Sequence, residues 1–170
     1  MQRLRLWAML VNGAAAVATA ALFAALLPLM PVPDGAGTTA GRLVLAVQLA
    51  AAPAALLWLM VAAVSLSRVA GNAFNPIDDA EPRLYRINQR VLSNTVEQTI
   101  VFMPALLAVA TVVPAERGGV LILAAVFFIG ARLVFWAGYL IHPFARAPGM
   151  TATAVLNLGL LVYVISQCVI

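Results

Sequence analysis

The chain has 170 residues, of which 64% are hydrophobic and 9% charged, against roughly 25% charged in a soluble domain, so an ordinary water-soluble core is excluded. The net charge of +4 comes from ten basic residues, all arginine and spread along the chain; with no basic stripe carrying interleaved aromatics, nucleic-acid binding has little support. A lone cysteine, Cys168, excludes an intrachain disulfide or CxxC site and reads as a packing residue. The one histidine, His142, cannot build a metal ligand set by itself and reads as an interfacial residue.

A membrane-crossing helix needs about 20 mostly apolar residues. Stretches of that length recur between short polar breaks, predicting an all-α integral membrane protein with helices over residues 6–30, 42–68, 84–113, 117–141 and 151–170. The first follows Arg3 and Arg5 and exceeds the roughly 7 to 15 residues of a signal-peptide core, so it is expected to be a retained helix. It has small residues at i, i+4 spacing, Ala14 with Ala18 and Ala21 with Ala25, which favour close helix approach. Asn12 reads as a helix–helix hydrogen bond. The second predicted helix ends at Arg68, before Ala73, Phe74, Asn75 and Pro76. Pro114 closes the third, and Pro143 with Pro148-Gly149 separates the fourth from the fifth.

Short cytoplasmic loops carry the excess positive charge of a membrane protein. With the N-terminus inside, Arg3, Arg5, Arg68, Arg83, Arg86, Arg90 and Arg146 fall on the cytoplasmic side, against Arg42 and Arg117 outside. The C-terminus is then outside, and the alanine and arginine bias suits a bacterial inner membrane.

The third predicted helix carries a polar ladder. At about 100° per residue, Arg86, Arg90, Asn94 and Glu97 share one face, and Arg90 to Glu97 spans roughly 10 Å of helix. On the fourth, Arg132, Phe135 and Tyr139 share a face, with Arg132 about 15 Å from His142 and so well inside the bilayer. A charge at that depth needs protein partners or a wet cavity, and Glu97 is the expected partner of Arg132. A buried pair that only sets helix register is the plain alternative. Arg68, Arg86, Arg90 and Arg146 at one membrane level bring more positive charge than Glu97 balances, which points to an anion. Carboxylates suit the guanidinium fork, and a thiol beside a cation ionises more readily. Tyr139 is either a hydrogen-bond donor to such a sulfur or an aromatic anchor at the membrane interface.

Three of these stretches resemble the family of membrane-associated proteins in eicosanoid and glutathione metabolism, MAPEG. They are Arg90-x-x-x-Asn94-x-x-Glu97, Arg132-x-x-Phe135-x-x-x-Tyr139, and Arg68 with Ala73-Phe74-Asn75-Pro76. The resemblance implies a MAPEG-like four-helix transmembrane bundle over residues 42–170, preceded by an additional N-terminal transmembrane helix in residues 1–33. It also implies a homotrimer that binds glutathione as cosubstrate, between subunits and near the cytoplasmic face, with no metal. Carried over by position, Arg68, Arg90, Asn94 and Glu97, with Arg86 and Tyr139 beside them, would bind glutathione. Arg132, Arg146 and Tyr139 would be catalytic, Arg146 matching a thiolate-stabilising arginine. Ile87 departs from an arginine that many members carry, and Phe135 from a polar aromatic or histidine.

The expected function is a glutathione-dependent transferase or peroxidase acting on hydrophobic small molecules, electrophiles or lipid hydroperoxides, that enter from the membrane lipids. The alternatives are a non-catalytic MAPEG-fold binding or scaffold protein, which Ile87 and Phe135 favour, and a small transporter. The transporter is suggested by intramembrane charge and weakened by the lack of inverted repeats.

Overall fold

The computed structural model describes residues 2–75, 77 and 79–169, and the side chains of residues 2–5 and 8 are outside that description. Of the sequence readings, the side chains of Arg3 and Arg5, the proline of the Asn75-Pro76 pair and Ile170 lie outside the described residues. Six α-helices form: α1 Gln2–Leu26, α2 Thr39–Leu49, α3 Ala51–Ala70, α4 Arg83–Val112, α5 Val120–Ile141 and α6 Ala147–Cys168. Among the described residues there is no strand, and five spans are long and apolar enough to cross a membrane, α2 and α3 together making one of them, Thr39–Ala70.

That second span is divided at Ala50, where continuity was expected. Pro53 has no N–H for the carbonyl of Leu49 and its ring crowds that carbonyl, so the helix is interrupted one turn before the proline. The last helix starts earlier than expected, at Ala147. Pro148 sits in its first turn, where a missing N–H leaves no helical bond unmade and the fixed φ suits the helix; it opens α6 and does not separate α5 from it. The end of α3 is a Schellman cap: Asn72 has φ 53, its N–H donates to the Val69 carbonyl, and Ala73 N–H donates to the Arg68 carbonyl at 3.1 Å.

Helices α3 to α6 form the bundle, with α2 against α4, and α1 lies mainly along α6. One apolar cluster, around Phe102 and Phe128 stacked at 4.2 Å, joins α4, α5 and α6. A second, of Leu56, Met60, Ile87, Val91, Phe135 and Tyr139, lies nearer the other end. Arg42, nearly buried, ties α2 to the end of α4: its Nε donates to the Ala110 carbonyl and its Nη atoms to the Ala36 carbonyl and Thr39 hydroxyl, all at 3.1 Å. Leucine, valine and isoleucine side chains on the outer helix faces are exposed, Leu66, Ile100, Val126 and Ile165 among them, as expected where lipid is the solvent.

Asn12 makes the helix–helix bond its position suggested, accepting from the Thr151 hydroxyl at 2.8 Å. The alanine pairs do not: Ala14, Ala18, Ala21 and Ala25 are all exposed, and α1 turns Ala15, Ala16, Thr19, Phe23 and Leu26 inward instead. Alanine on nearly every face of α1 means that spacing alone cannot select the packed one. Cys168 is also exposed, a correction to the packing role, because the last turn of α6 is exposed from Ile165 onward.

Helices α5 and α6 approach closely at Gly149. A Cβ added at Gly149 would run into the backbone of Ala131 and Phe135, and one at Gly138 into that of Ala145. Gly149→Val is therefore expected to lower stability by about 1–3 kcal/mol. Gly130→Ala, which meets nothing within 4 Å, should stay neutral or gain up to about 1 kcal/mol. Thermal unfolding of both variants in detergent checks this, and equal losses would contradict it.

Candidate functional site

The end of α3, the start of α4, the end of α5 and the start of α6 lie at one end of the bundle. Asn88 on α4 ties three of them together. Its Nδ2 donates to the Ser67 hydroxyl at 3.1 Å and to the Ala63 carbonyl at 3.3 Å, both on α3. Its Oδ1 accepts from Trp136 Nε1 on α5 at 2.9 Å. Beside this hub, Arg68 donates to the Tyr85 hydroxyl at 2.7 Å and its guanidinium lies 4.6 Å from the centre of the Tyr85 ring.

Arg132 is fully buried, at 0% exposure. Nη1 donates to Asn94 Oδ1 at 2.9 Å and Nη2 to the Gly149 carbonyl at 3.4 Å, while its buried Nε has no partner. The Gly149 carbonyl also accepts from the Thr153 hydroxyl at 2.9 Å. The expected partner, Glu97, is exposed and is not bonded to Arg132. Helix phase explains the correction. Taking Arg90 as zero, the buried α4 residues Ile87, Asn88, Val91 and Thr95 span roughly 60° to 160° at 100° per residue. Asn94, at about 40°, borders that sector and reaches α5; Glu97, at about −20°, turns outward with Arg86 and Arg90.

From Arg132 a column of alternating contacts runs toward the bundle end. The Arg132 guanidinium stands 4.4 Å from the Phe135 ring centre. Phe135 meets Tyr139 edge-on at 5.8 Å, and Arg146 covers Tyr139 at 5.0 Å. Arg146 is itself anchored by Nε to the Pro143 carbonyl at 3.0 Å. Such ring–cation contacts contribute about 0.5–2 kcal/mol each, more where water is excluded. Tyr139 is buried in the second apolar cluster, so it faces the bundle and is not an outward aromatic anchor. His142 ends α5 and accepts the Phe144 N–H on Nδ1 at 3.2 Å.

The sequence-predicted residues thus fall into three groups. Arg132, Asn94, Tyr139 and Arg146 are brought together on α4, α5 and the start of α6. Arg68 is at the same end but engaged with Tyr85 on α3 and α4. Arg86, Arg90 and Glu97 stand on the exposed face of α4. Ile87 is a core residue, so an arginine at this position would enter the apolar cluster. Sequence reasoning missed Asn88, Trp136, Tyr85 and Gly149. An asparagine in an apolar helix was the available signal for the first, since buried polar side chains in membrane helices hydrogen-bond across helices.

Asn94→Ala should destabilise the protein by about 1–3 kcal/mol, because it strips one partner from a buried guanidinium. Arg132→Met in the same background should recover part of that loss, since removing both partners leaves no unpaired group. Melting temperatures of the two single variants and the double variant check this; purely additive losses would contradict it.

Compared with known proteins, the chain matches the MAPEG family model over residues 43–166, which takes in α3 to α6 and most of α2 and leaves α1 outside. No curated protein and no solved structure matches the chain.

Proposed function

The chain belongs to the MAPEG family, a membrane family of glutathione and eicosanoid metabolism, and we propose that it is a glutathione-dependent transferase or peroxidase. The observation that carries this is the burial of Arg132 without a carboxylate partner. This arginine lies fully buried in a membrane helix, held only by neutral oxygens, with its Nε–H unused. A charge at such depth is costly without a counter-charge, and an anion brought to the column from Arg132 to Arg146 supplies it.

Glutathione fits this donor set. Its carboxylates suit guanidinium forks, which Arg86 and Arg90 present on the open face of α4. Asn94 and Glu97 offer an amide and a carboxylate to the peptide groups and the amine, and Arg68 lies at the same bundle end. In this reading Arg146 and Tyr139 would bind and orient the sulfur. A guanidinium beside a thiol favours the thiolate and so the nucleophile at neutral pH, and Arg132 adds positive potential from below. The apolar outer helix faces let a hydrophobic electrophile or lipid hydroperoxide approach from the bilayer, and holding both reactants in place lowers the entropic cost of their meeting.

The exposed row of Arg86, Arg90 and Glu97 is expected to be covered by a neighbouring subunit of a homotrimer, which would complete the glutathione site. By the excess of arginine at this end of the bundle, the site faces the cytoplasm of a bacterial inner membrane.

A second reading, a binding protein without catalysis, is favoured by the complete burial of Arg132 and Phe135, which gives Arg132 a structural role as well. Ultraviolet titration of the detergent-purified protein with glutathione, paired with calorimetry, separates the two. Catalysis predicts a saturable thiolate band at neutral pH. Arg146→Ala should then lose that band and reduce turnover by roughly 10²- to 10³-fold, with melting lowered only by the lost contact to Tyr139, about 0.5–2 kcal/mol. Calorimetric binding without a thiolate band would leave the second reading, and no binding would overturn both.

A further inference from the structure

At the end of the bundle opposite the arginine column, α1 and the ends of α4 and α6 border a partly enclosed cavity of about 340 Å³. Phe23 of α1 and Leu27 just after it form one wall, Val109 of α4 and Val113 at its C-terminus another, and Gly159 of α6 a third. The volume falls in the roughly 300–1,000 Å³ range of pockets that bury a small ligand. The lining is overwhelmingly apolar, and Thr19, which also borders it, already donates its hydroxyl to the Ala15 carbonyl at 2.7 Å, so it calls for no polar ligand. The α1 wall is fixed at both ends, by the bond between Asn12 and Thr151 and by the edge-on contact of Phe23 with Phe127 at 5.2 Å.

Arg117 supplies the one charge on the lining. It lies in the short 3-10 turn Ala115–Arg117 between α4 and α5, exposed at a helix end, and among the described residues its guanidinium makes no hydrogen bond or ion pair. Glu116 precedes it in the turn but does not line the cavity.

We propose that this cavity is a lipid site that takes an acyl chain of an anionic phospholipid, with the headgroup phosphate on Arg117. Two physical arguments select this occupant. A partly enclosed apolar cavity between membrane helices suits hydrocarbon, and a chain inside it recovers the dispersion contacts that a void forfeits. The single cation stands where the chain leaves the helices for the headgroup region, and a basic side chain there attracts anionic headgroups. The site depends on α1 for a wall and is independent of the glutathione reading.

The test is native mass spectrometry of the full-length protein released from nanodiscs of equal parts phosphatidylglycerol and phosphatidylcholine. Wild type should retain phosphatidylglycerol in preference to phosphatidylcholine, and Arg117→Gln should reduce that preference by roughly fivefold. Gly159→Phe should abolish retention of either lipid while the protein stays folded, because a side chain at residue 159 meets nothing within 4 Å of its Cβ and can occupy the cavity. Retention unchanged in Gly159→Phe would overturn the site. A lipid preference indifferent to Arg117→Gln would overturn the headgroup assignment, and with it the proposal.

Discussion

The contact between α5 and α6 at Gly149 organises the arginine column. With no Cβ there, the two backbones approach until the Gly149 carbonyl, which also accepts the Thr153 hydroxyl, comes within reach of the Arg132 guanidinium. The same approach, assisted by Gly138 against Ala145, folds the short connection back so that Arg146 lies over Tyr139. Two glycines therefore decide where two cations stand. Helix–helix adhesion in a bilayer relies on such close backbone packing, since lipid tails are as apolar as the side chains they replace.

Around that contact the protein solves a solvation problem with neutral groups. Arg132 is satisfied in part by an amide oxygen and a backbone carbonyl, and two aromatic rings stand between it and Arg146. Neutral oxygens hydrogen-bond a guanidinium without cancelling its charge, so the column remains electropositive. A carboxylate in the position of Asn94 would satisfy the same N–H and neutralise it. Asn88, meanwhile, holds α3, α4 and α5 in register with no charge at all, which separates the work of holding the bundle from the work of attracting an anion.

The two ends of the bundle differ in kind. The column end is rich in arginine and aromatic contacts, whereas the far end is closed by Arg42, which bonds Ala110 near the end of α4 together with Ala36 and Thr39, and is flanked by an apolar cavity behind α1. Arg42 and Arg132 are both deeply buried, yet every donor nitrogen of Arg42 has an oxygen within 3.1 Å, while the Nε of Arg132 has none. Equal burial thus goes with different roles: the first is a clamp, and the second keeps unused donor capacity.

The membrane class, the number of spans and the residues that mark the family were legible in the sequence, because hydropathy, length and spacing are local properties that each segment carries alone. So was the Asn12 contact, since a polar group in lipid must find a partner somewhere. The partners themselves were not legible. Glu97 and Asn94 lie only about 60° apart on α4, and which of them meets Arg132 depends on how α4 is rotated against α5, which the whole bundle sets. The same rotation buries Ile87 and turns Arg86 outward, and the rotation of α1 half-buries Ala15 and leaves Ala14 exposed. A sequence fixes the order of side chains around a helix; only the packed neighbours decide which sector of that circle faces protein and which faces lipid.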